Sequence, residues 1–272
     1  MMHTANLWAR DPVVIEIGGM AIALRTEDQA FRQLLERRYR GFIRPSLHPQ
    51  FEFAVDLCEP SEIKRADEDL QVQFEGGQWL IQRGDFRADW DAEAGRGHIR
   101  QSRNPYAIDS VLRIVHTLIL AKQGGFLVHA ASALRGGRTY LFAGVSGAGK
   151  TTISRLAPAD ATLLSDEISY LRREGEEYRA YGTPFAGELA RVGENVSAPL
   201  RALFLLEKGL ENRIEPMKRS EAIRMLLRNV LFFAEDSELV NLVFRSACEL
   251  VERVPVRRLI FVPDDRVWEM IG

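Results

Sequence analysis

The segment GVSGAGKTT, residues 144–152, constrains the fold of this chain more than any other part of its sequence. It matches the pattern GxxxxGK[ST] at every required position. Glycines in such a loop let the backbone wrap closely and turn its N–H groups toward phosphate oxygens. The apolar residues 139–143 predict a strand before the loop, and a helix is predicted to begin near Lys150 and to end before Pro158. The first expectation is therefore a phosphate-binding loop (P-loop) between a strand and a helix.

The residue types of this loop predict how it would hold a nucleotide. Lys150 would reach the terminal phosphates of a nucleoside triphosphate, and the hydroxyl group of Thr151 would bind magnesium. Free N–H groups at the start of the following helix favour anions. The predicted nucleotide-binding residues are Gly144, Ser146, Gly147, Ala148, Gly149, Lys150, Thr151 and Thr152. ATP and Mg²⁺ are the expected cofactors.

Two neighbouring acids, Asp166 and Glu167, interrupt an apolar run that predicts a single strand over residues 162–171. A P-loop site needs an acid near a strand end to bind magnesium, and Asp166 is the candidate. Because side chains alternate along a strand, the two acids are expected to face opposite sides and to have different roles. The competing interpretation is that one or both are solvated surface acids.

His129 lies in the apolar segment 126–134, which predicts a strand. Residues 135–138 indicate a turn, so this strand and the strand over residues 139–143 are predicted to form an antiparallel hairpin. The hairpin would bring His129 beside the start of the P-loop, where its imidazole could donate a hydrogen bond to a phosphate. A purely structural role in the core is the alternative for this histidine.

The remaining patterns predict a mixed α/β protein with two parts. Residues 1–104 form a β-rich N-terminal region with one amphipathic helix over residues 27–40, and residues 105–272 form the nucleotide-binding domain. Hairpins are predicted within residues 13–25, 70–84 and 86–103 of the first part. In the second part, helices are predicted over residues 106–122, 219–232 and 236–250, and a last strand over residues 256–263.

Composition argues against several classes of function. The 272 residues carry a formal net charge of −2, which does not favour binding to nucleic acid or to a membrane surface. No CxxC motif or spaced pair of histidines predicts a zinc site. The N-terminus has no apolar signal segment, and Arg113 and His116 break the apolar-rich stretch 111–121. A cytoplasmic protein without a membrane segment is therefore expected.

The order of a strand with a histidine, a turn, a second strand and the P-loop resembles the HPr kinase/phosphorylase family and the related phosphoenolpyruvate carboxykinases. The matching segments are LVHAASAL, LFAGVSGAGKTT, LLSDEISYL, GTPFAGE, PLRALFLLEKG and VERVPVRRLIFVPDD. The resemblance covers roughly residues 105–265. It implies an α/β fold with a mixed sheet around the P-loop, an antiparallel hairpin that leads into the loop, and helices on the faces of the sheet.

The resemblance also implies an activity, which is the transfer of phosphate from ATP to a hydroxyl group, most often a serine of a protein or peptide. Asp166 and Glu167 would match the acid pair of the family, and one of them would be the general base. His129 would match the family's histidine near the transferred phosphate, and Lys150 would complete the catalytic set. Thr151 and Asp166 would bind the magnesium ion. Relatives often form homo-oligomers, and some act on small molecules.

The chain departs from the family pattern at two places. The second acid of the pair is Glu167, where the family usually has aspartate. GTPFAGE, residues 182–188, replaces the glycine-rich, arginine-containing stretch of true HPr kinases. Glu188 at its end and Arg191 just after it are candidates for magnesium and phosphate contacts. The arginines that could steady the transferred phosphate are Arg155, Arg172, Arg173 and Arg191.

Three alternatives to a kinase stay open at this point. The first is a nucleotide hydrolase without an acceptor, although no [NT]KxD motif supports a guanine-specific switch. The second is a carboxykinase-type enzyme that acts on a small organic acid, and the third is a nucleotide-binding module without catalysis. Neither the acceptor nor the oligomeric state follows from the residues.

Overall fold

The computed structural model of the chain describes residues 8, 10–59, 69–187, 189 and 191–271. These residues form a mixed α/β structure with two sheets and divide into two compact units. The first unit comprises Met1–Val115 and Phe233–Ser237, and the second comprises His116–Phe232 and Glu238–Gly272. The division between them falls within a helix, whereas the sequence patterns place a boundary at 104/105.

The first unit is built on a seven-stranded sheet. Its strands are β1 (Val13–Ile17), β2 (Met20–Arg25), β3 (Phe51–Leu57), β4 (Gln71–Glu75), β5 (Gln78–Arg83), β6 (Phe86–Asp91) and β7 (Arg96–Gln101). The three predicted hairpins are confirmed, since β1 and β2, β4 and β5, and β6 and β7 pair antiparallel. Strand β3 lies between β2 and β7 and runs parallel to both.

Two helices belong to the N-terminal half of the chain. Helix α1 (Gln29–Arg38) is capped by Asp28, whose carboxylate accepts a hydrogen bond from the N–H of Phe31 at 2.8 Å. Its apolar face is buried through Phe31 and Leu35. Helix α2 (Pro105–Lys122) confirms the predicted helix over residues 106–122. Among the residues that the structure describes, no helix has both the length and the apolar character needed to cross a membrane.

The second unit holds the glycine-rich loop, residues 144–149, and a nine-stranded sheet. Its strands are β8 (Gly125–Arg135), β9 (Arg138–Ala143), β10 (Thr162–Ser165), β11 (Ile168–Glu174), β12 (Glu177–Tyr181), β13 (Ser197–Lys208), β14 (Arg213–Pro216), β15 (Val230–Leu231) and β16 (Val256–Phe261). The helices of this part of the chain are α3 (Lys150–Arg155), α4 (Arg219–Leu227) and α5 (Ser237–Arg253).

Two predicted elements of this unit are wrong in extent. The helix predicted over residues 219–232 ends at Leu227, and Val230–Leu231 form β15, which pairs with β8. The single strand predicted over residues 162–171 is two strands, β10 and β11, with a bend at the two acids between them. Pairing with strands that are distant in sequence determines where these two elements end. Such pairing cannot be read from local periodicity.

Five strands of the second unit pair in a closed circuit. Strand β8 is antiparallel to β9 and to β11, β11 is antiparallel to β12, β12 is antiparallel to β13, and β13 is parallel to β9. Strand β8 can serve two partners because its first half, up to His129, pairs with β11 and its second half, from Ala130, pairs with β9. The predicted hairpin of β8 and β9 before the glycine-rich loop is thereby confirmed.

Strand β13 is apolar on both faces because each face is covered. Leu203 and Leu205 join one buried cluster with residues of β8, β11 and helix α5, while Phe204 and Leu206 join another with residues of β9 and α3. The parallel strands β9 and β13 therefore lie inside the unit, with their carboxyl ends side by side. In parallel sheets this is the edge at which ligands usually bind.

Candidate functional site

The loop between β9 and α3 has a shape that depends on glycine. Gly149 has a φ of 113°, and a Cβ atom there would lie 2.6 Å from the ring of Phe261. A Cβ atom on Gly144 would lie 2.7 Å from the Cβ atom of Ala148. Both distances are shorter than contacts that carbon atoms tolerate, so larger residues would push the loop out of place. The loop is therefore fixed by steric fit at its two ends.

The side chain of Lys150 is buried at the end of this loop. Its ammonium group donates hydrogen bonds to the carbonyl oxygens of Gly144 at 2.8 Å and Val145 at 3.2 Å. The carbonyl oxygen of Lys150 accepts a hydrogen bond from the Ser154 hydroxyl at 3.0 Å, within the short helix α3. The ammonium group of Lys150 is thus held against the main chain of the loop whose phosphate ligand it is expected to contact.

The two acids lie in the bend between β10 and β11. The hydroxyl oxygen of Ser165 accepts hydrogen bonds from the N–H groups of Glu167 at 3.2 Å and Ile168 at 2.9 Å, and so forms the bend. The expectation that Asp166 and Glu167 face opposite sides of a strand is wrong, because neither lies in a strand. Both side chains line the same cavity.

Asp166 is nearly buried and also fastens a neighbouring loop. Its two carboxylate oxygens accept hydrogen bonds from the N–H groups of Gly187 at 2.9 Å and Leu189 at 3.0 Å. A Cβ atom on Gly187 would lie 2.7 Å from the Cβ atom of Glu167, so glycine is required for this approach. The segment GTPFAGE is therefore attached to the acid pair through its last glycine.

His129 lies where β8 changes partners. It faces Ile168 of β11 in the strand register, and the next residue, Ala130, faces Ala143 at the end of β9. Its main-chain N–H donates to the carbonyl oxygen of Asn229 at 2.7 Å. The register places His129 beside both the acid bend and the start of the glycine-rich loop.

These elements enclose a cavity of about 320 Å³, which we call the glycine cavity. The residues that line it are His129, Ser146, Gly147, Gly149, Lys150, Thr151, Thr152, Asp166, Glu167 and Lys208. The acid pair Asp166 and Glu167, together with His129, Lys150 and Thr151, which the sequence singled out as catalytic or metal-binding, are among them. Of the predicted nucleotide-binding residues, Gly144 and Ala148 do not line the cavity. They pack against each other and support the loop from behind.

Lys208 lines the cavity but did not stand out in the sequence. It is the last residue of β13, which runs parallel to β9 with Leu205 opposite Ala143. Strand β9 ends at Ala143 and the glycine-rich loop follows directly. The end of β13 therefore lies beside this loop. In the sequence, Lys208 could have been noticed as a charged residue at the end of a long apolar run. Only the pairing of β13 with β9 shows that this residue lies at the cavity.

The structure does not bring the candidate arginines into the glycine cavity. Arg172 pairs with Glu174, and Arg173 pairs with Glu249. Arg155 and Arg191 are exposed, and neither lines the described part of the cavity. Glu188 lies outside the described residues. The cations that do line the cavity are the two lysines.

The oxygen donors of the cavity suit a magnesium ion. Thr151 offers a hydroxyl group and Asp166 a carboxylate, and each carboxylate oxygen of Asp166 keeps a second lone pair beside its hydrogen bond to the main chain. Within the described residues there is no cluster of three or more metal-binding side chains. Magnesium at nucleotide sites is usually bound through one or two protein ligands together with phosphates, so this sparse donor set fits it.

Comparison with known proteins gives one family. A family model described as ScmC: SynChlorMet cassette protein ScmC matches residues 101–272, which is more than half of the chain. The matched segment includes every residue that lines the glycine cavity. A search of the curated proteins finds no match.

Proposed function

The chain belongs to the SynChlorMet cassette protein ScmC family, and we propose that it is an ATP-dependent kinase that transfers phosphate to a hydroxyl group, with the serine of a peptide or protein as the acceptor. The observation that carries the proposal is the gathering in one cavity of a glycine-rich loop, two lysines, a hydroxyl donor, two acids and a histidine. Phosphoryl transfer requires mainly positioning and neutralisation of charge, and this set supplies both. The residues also resemble those of the HPr kinase/phosphorylase group.

The loop and the two lysines would bind the phosphates of ATP. The N–H groups of residues 146–151 are the natural donors, and phosphate oxygens would replace the carbonyl oxygens of Gly144 and Val145 as partners of Lys150. Lys208 would contact the same phosphates from β13. Thr151 and Asp166 would hold magnesium, which when bound neutralises the charge of the β- and γ-phosphates.

The two acids would have different roles, Asp166 as a magnesium ligand and Glu167 as the general base. Asp166 is already fastened to the main chain at Gly187 and Leu189, which suits a fixed ligand more than a mobile base. Glu167 would accept the proton of the acceptor hydroxyl as its oxygen bonds to the γ-phosphorus. The bond from that phosphorus to the bridging oxygen of ADP breaks in the same step. His129 would donate a hydrogen bond to an oxygen of the phosphate in transfer.

The proposal has a direct test in phosphate transfer. The full chain is incubated with magnesium and γ-labelled ATP, together with serine-containing peptides, the same peptides with alanine in place of serine, and free serine. Label is expected in the serine-containing acceptors only. Glu167→Gln should reduce the rate roughly 10²- to 10⁴-fold, the range for loss of a general base, and leave ATP affinity nearly unchanged. Glu235→Gln is a matched control at an exposed position outside the cavity.

Other outcomes identify other functions. Labelled free phosphate with no labelled acceptor would indicate a nucleotide hydrolase. ATP binding with neither product would overturn the kinase proposal and identify a nucleotide-binding module. The proposal also implies a cytoplasmic location, where ATP is available.

One observation favours a second candidate, a nucleotide-dependent switch without an acceptor. Asp166 holds the main chain at Gly187 and Leu189 through hydrogen bonds. A magnesium ion that arrives with the nucleotide and shares these carboxylate oxygens would weaken the hydrogen bonds, and nucleotide binding would thereby be coupled to the position of the loop. If ATP changes hydrogen exchange at residues 182–195 while no acceptor is ever labelled, this second function is the better one.

A further inference from the structure

The second unit has another cavity, which we call the arginine cavity. Its volume is about 370 Å³, and residues of β9, β13, β14 and β16 line it together with residues near the end of the chain. Tyr140, Phe204 and Ile214 give it an apolar floor. Tyr140 and Phe204 are almost completely buried, so the floor is part of the packed core. No residue is common to this cavity and the glycine cavity.

Two exposed arginines, Arg201 and Arg257, also line this cavity. Within the described chain, neither guanidinium group has an ion pair or a hydrogen bond. The next residue of β16, Arg258, points to the other face of the strand and pairs with Glu207, Glu215 and Glu221. On one face of β16, Arg258 is paired with acids, and on the other face Arg257 lines the arginine cavity.

A local irregularity of β13 directs Arg201 into the cavity. Leu200 lies opposite Thr139 and Ala202 lies opposite Tyr140, so Arg201 is an extra residue in the pairing with β9. Such a bulge places two successive residues against one partner and changes the direction of a side chain. Arg201 and Ala202 accordingly both line the cavity, although neighbours in a regular strand face opposite sides.

The two cavities lie at different levels of the same strand. Lys208 marks the glycine cavity at the end of β13, and Arg201 marks the arginine cavity near its beginning. At about 3.3 Å per residue, roughly 20 Å of strand separates them. A ligand in one cavity therefore does not touch the lysines of the other.

We propose that the arginine cavity binds an organic anion in which a carboxylate or phosphate group is attached to an apolar body. Guanidinium groups bind such anions through paired hydrogen bonds, and an apolar floor removes the body of the ligand from water. The volume lies within the range of small-molecule pockets, about 300–1,000 Å³. Glu269 also lines the cavity, and its carboxylate would repel a doubly charged phosphate monoester more than a carboxylate, so of the two groups a carboxylate is favoured. This site does not depend on the proposed kinase activity.

The test uses the fluorescent aromatic sulfonate 1-anilinonaphthalene-8-sulfonate as the probe of the full chain. Competing compounds separate the two features of the ligand: phenylacetate and phenyl phosphate have both the charge and the apolar body, benzyl alcohol lacks the charge, and inorganic phosphate lacks the body. We expect the first two to displace the dye at concentrations at least about tenfold lower than the last two. The stronger of the first two identifies the anionic group that the site prefers.

Variants locate the binding site. Arg201→Gln and Arg257→Gln should each weaken dye binding about tenfold, and the double variant more, because each removes a charged hydrogen-bond donor. Arg245→Gln, at an exposed arginine of α5, and Lys208→Gln, in the glycine cavity, should leave dye binding unchanged. Circular dichroism checks that the variants are folded. Unchanged binding in both single variants, a loss in Lys208→Gln, or equal displacement by benzyl alcohol would overturn the proposal.

Discussion

The two cavities of the second unit are built from different parts of the chain. A glycine-rich loop forms part of the glycine cavity, whose buried charges, Lys150 and Asp166, are hydrogen-bonded to main-chain atoms. The arginine cavity lies over an apolar floor and carries two guanidinium groups that have no partner among the described residues. The first geometry is fixed before a ligand binds, as chemistry requires. The side chains of the arginine cavity can be replaced by single substitutions without a change of the main chain, which suits a site that recognises a particular ligand.

The largest expected difference between the cavities comes from Lys150→Met. We expect phosphate transfer to fall roughly thousandfold, because a buried cation at the developing charge is lost. Dye binding in the arginine cavity should not change. The measurement is the rate of label transfer beside a dye titration, with Lys122→Met at an exposed end of α2 as the matched control. Transfer at the normal rate would show that the glycine cavity is not the place of the chemistry.

The next effect is expected from Gly149→Ala, which tests the steric basis of the glycine cavity. The φ of 113° and the 2.6 Å approach to Phe261 predict that the loop must move, with roughly a hundredfold loss of ATP affinity by calorimetry. Gly136→Ala is the control, since this glycine also has a positive φ but nothing within 4 Å of its added Cβ atom. Equal effects of the two substitutions would mean that backbone strain alone, and not the contact with Phe261, shapes the loop.

Acid should affect both cavities together, through His116. This residue is fully buried against Tyr170, with 5.5 Å between the ring centroids, and neither of its ring nitrogens has a hydrogen-bond partner in the described structure. Burial lowers the pKa of His116 to about 3, whereas an unfolded histidine has a pKa of about 6.5. At pH values between these two pKa values, His116 carries a proton in the unfolded state but not in the folded state. The free energy of unfolding therefore decreases as the pH falls below about 6.5, by about 2 kcal/mol at pH 5.

Urea unfolding at pH 7.5 and pH 5 measures this effect, with His116→Leu compared with His48→Leu at an exposed position. The His116 variant should lose about 2 kcal/mol of the pH dependence, and the His48 variant should keep it. If only one cavity loses its ligand at pH 5 while the unit stays folded, the buried histidine is not the cause.

The smallest expected effect is that of Lys208→Gln. We expect about a tenfold loss of ATP affinity, since Lys208 is exposed and its contact with phosphate is partly screened by water. Lys122→Gln should have no effect, and neither substitution should alter dye binding. A loss of ATP affinity as severe as the hundredfold loss expected for Gly149→Ala would place Lys208 at the centre of the glycine cavity instead of at its edge.

The sequence predicted the parts of the site that depend on neighbouring residues. The strand and helix on either side of the glycine-rich loop, the hairpin that precedes it and the presence of Asp166, Glu167 and His129 in one place follow from motifs and from short-range periodicity. The bend at the two acids was missed because the apolar residues on both sides continue the same pattern. Ser165, whose hydroxyl forms that bend, was the residue that marked it.

The parts that could not be predicted depend on residues far apart in the chain. Lys208 and Arg201 acquire their positions from the pairing of β13 with β9, and the bulge at Arg201 has no signature of its own in the sequence. The arginine cavity also needs β16 beside β13. No local propensity contains these pairings, because strand preference reflects the surroundings of a strand more than its own residues.

The closed circuit of five strands also has a consequence for biogenesis. Ala143, which precedes the glycine-rich loop, pairs with Leu205 of β13, and the residues between them must be synthesised before the circuit can close. Until then β9 has an unpaired edge, and exposed strand edges of this kind promote aggregation. Long-range pairings also form slowly. The newly made chain should therefore depend on chaperones between the emergence of β9 and that of β13, and the glycine-rich loop should be among the last parts of the unit to reach its final shape.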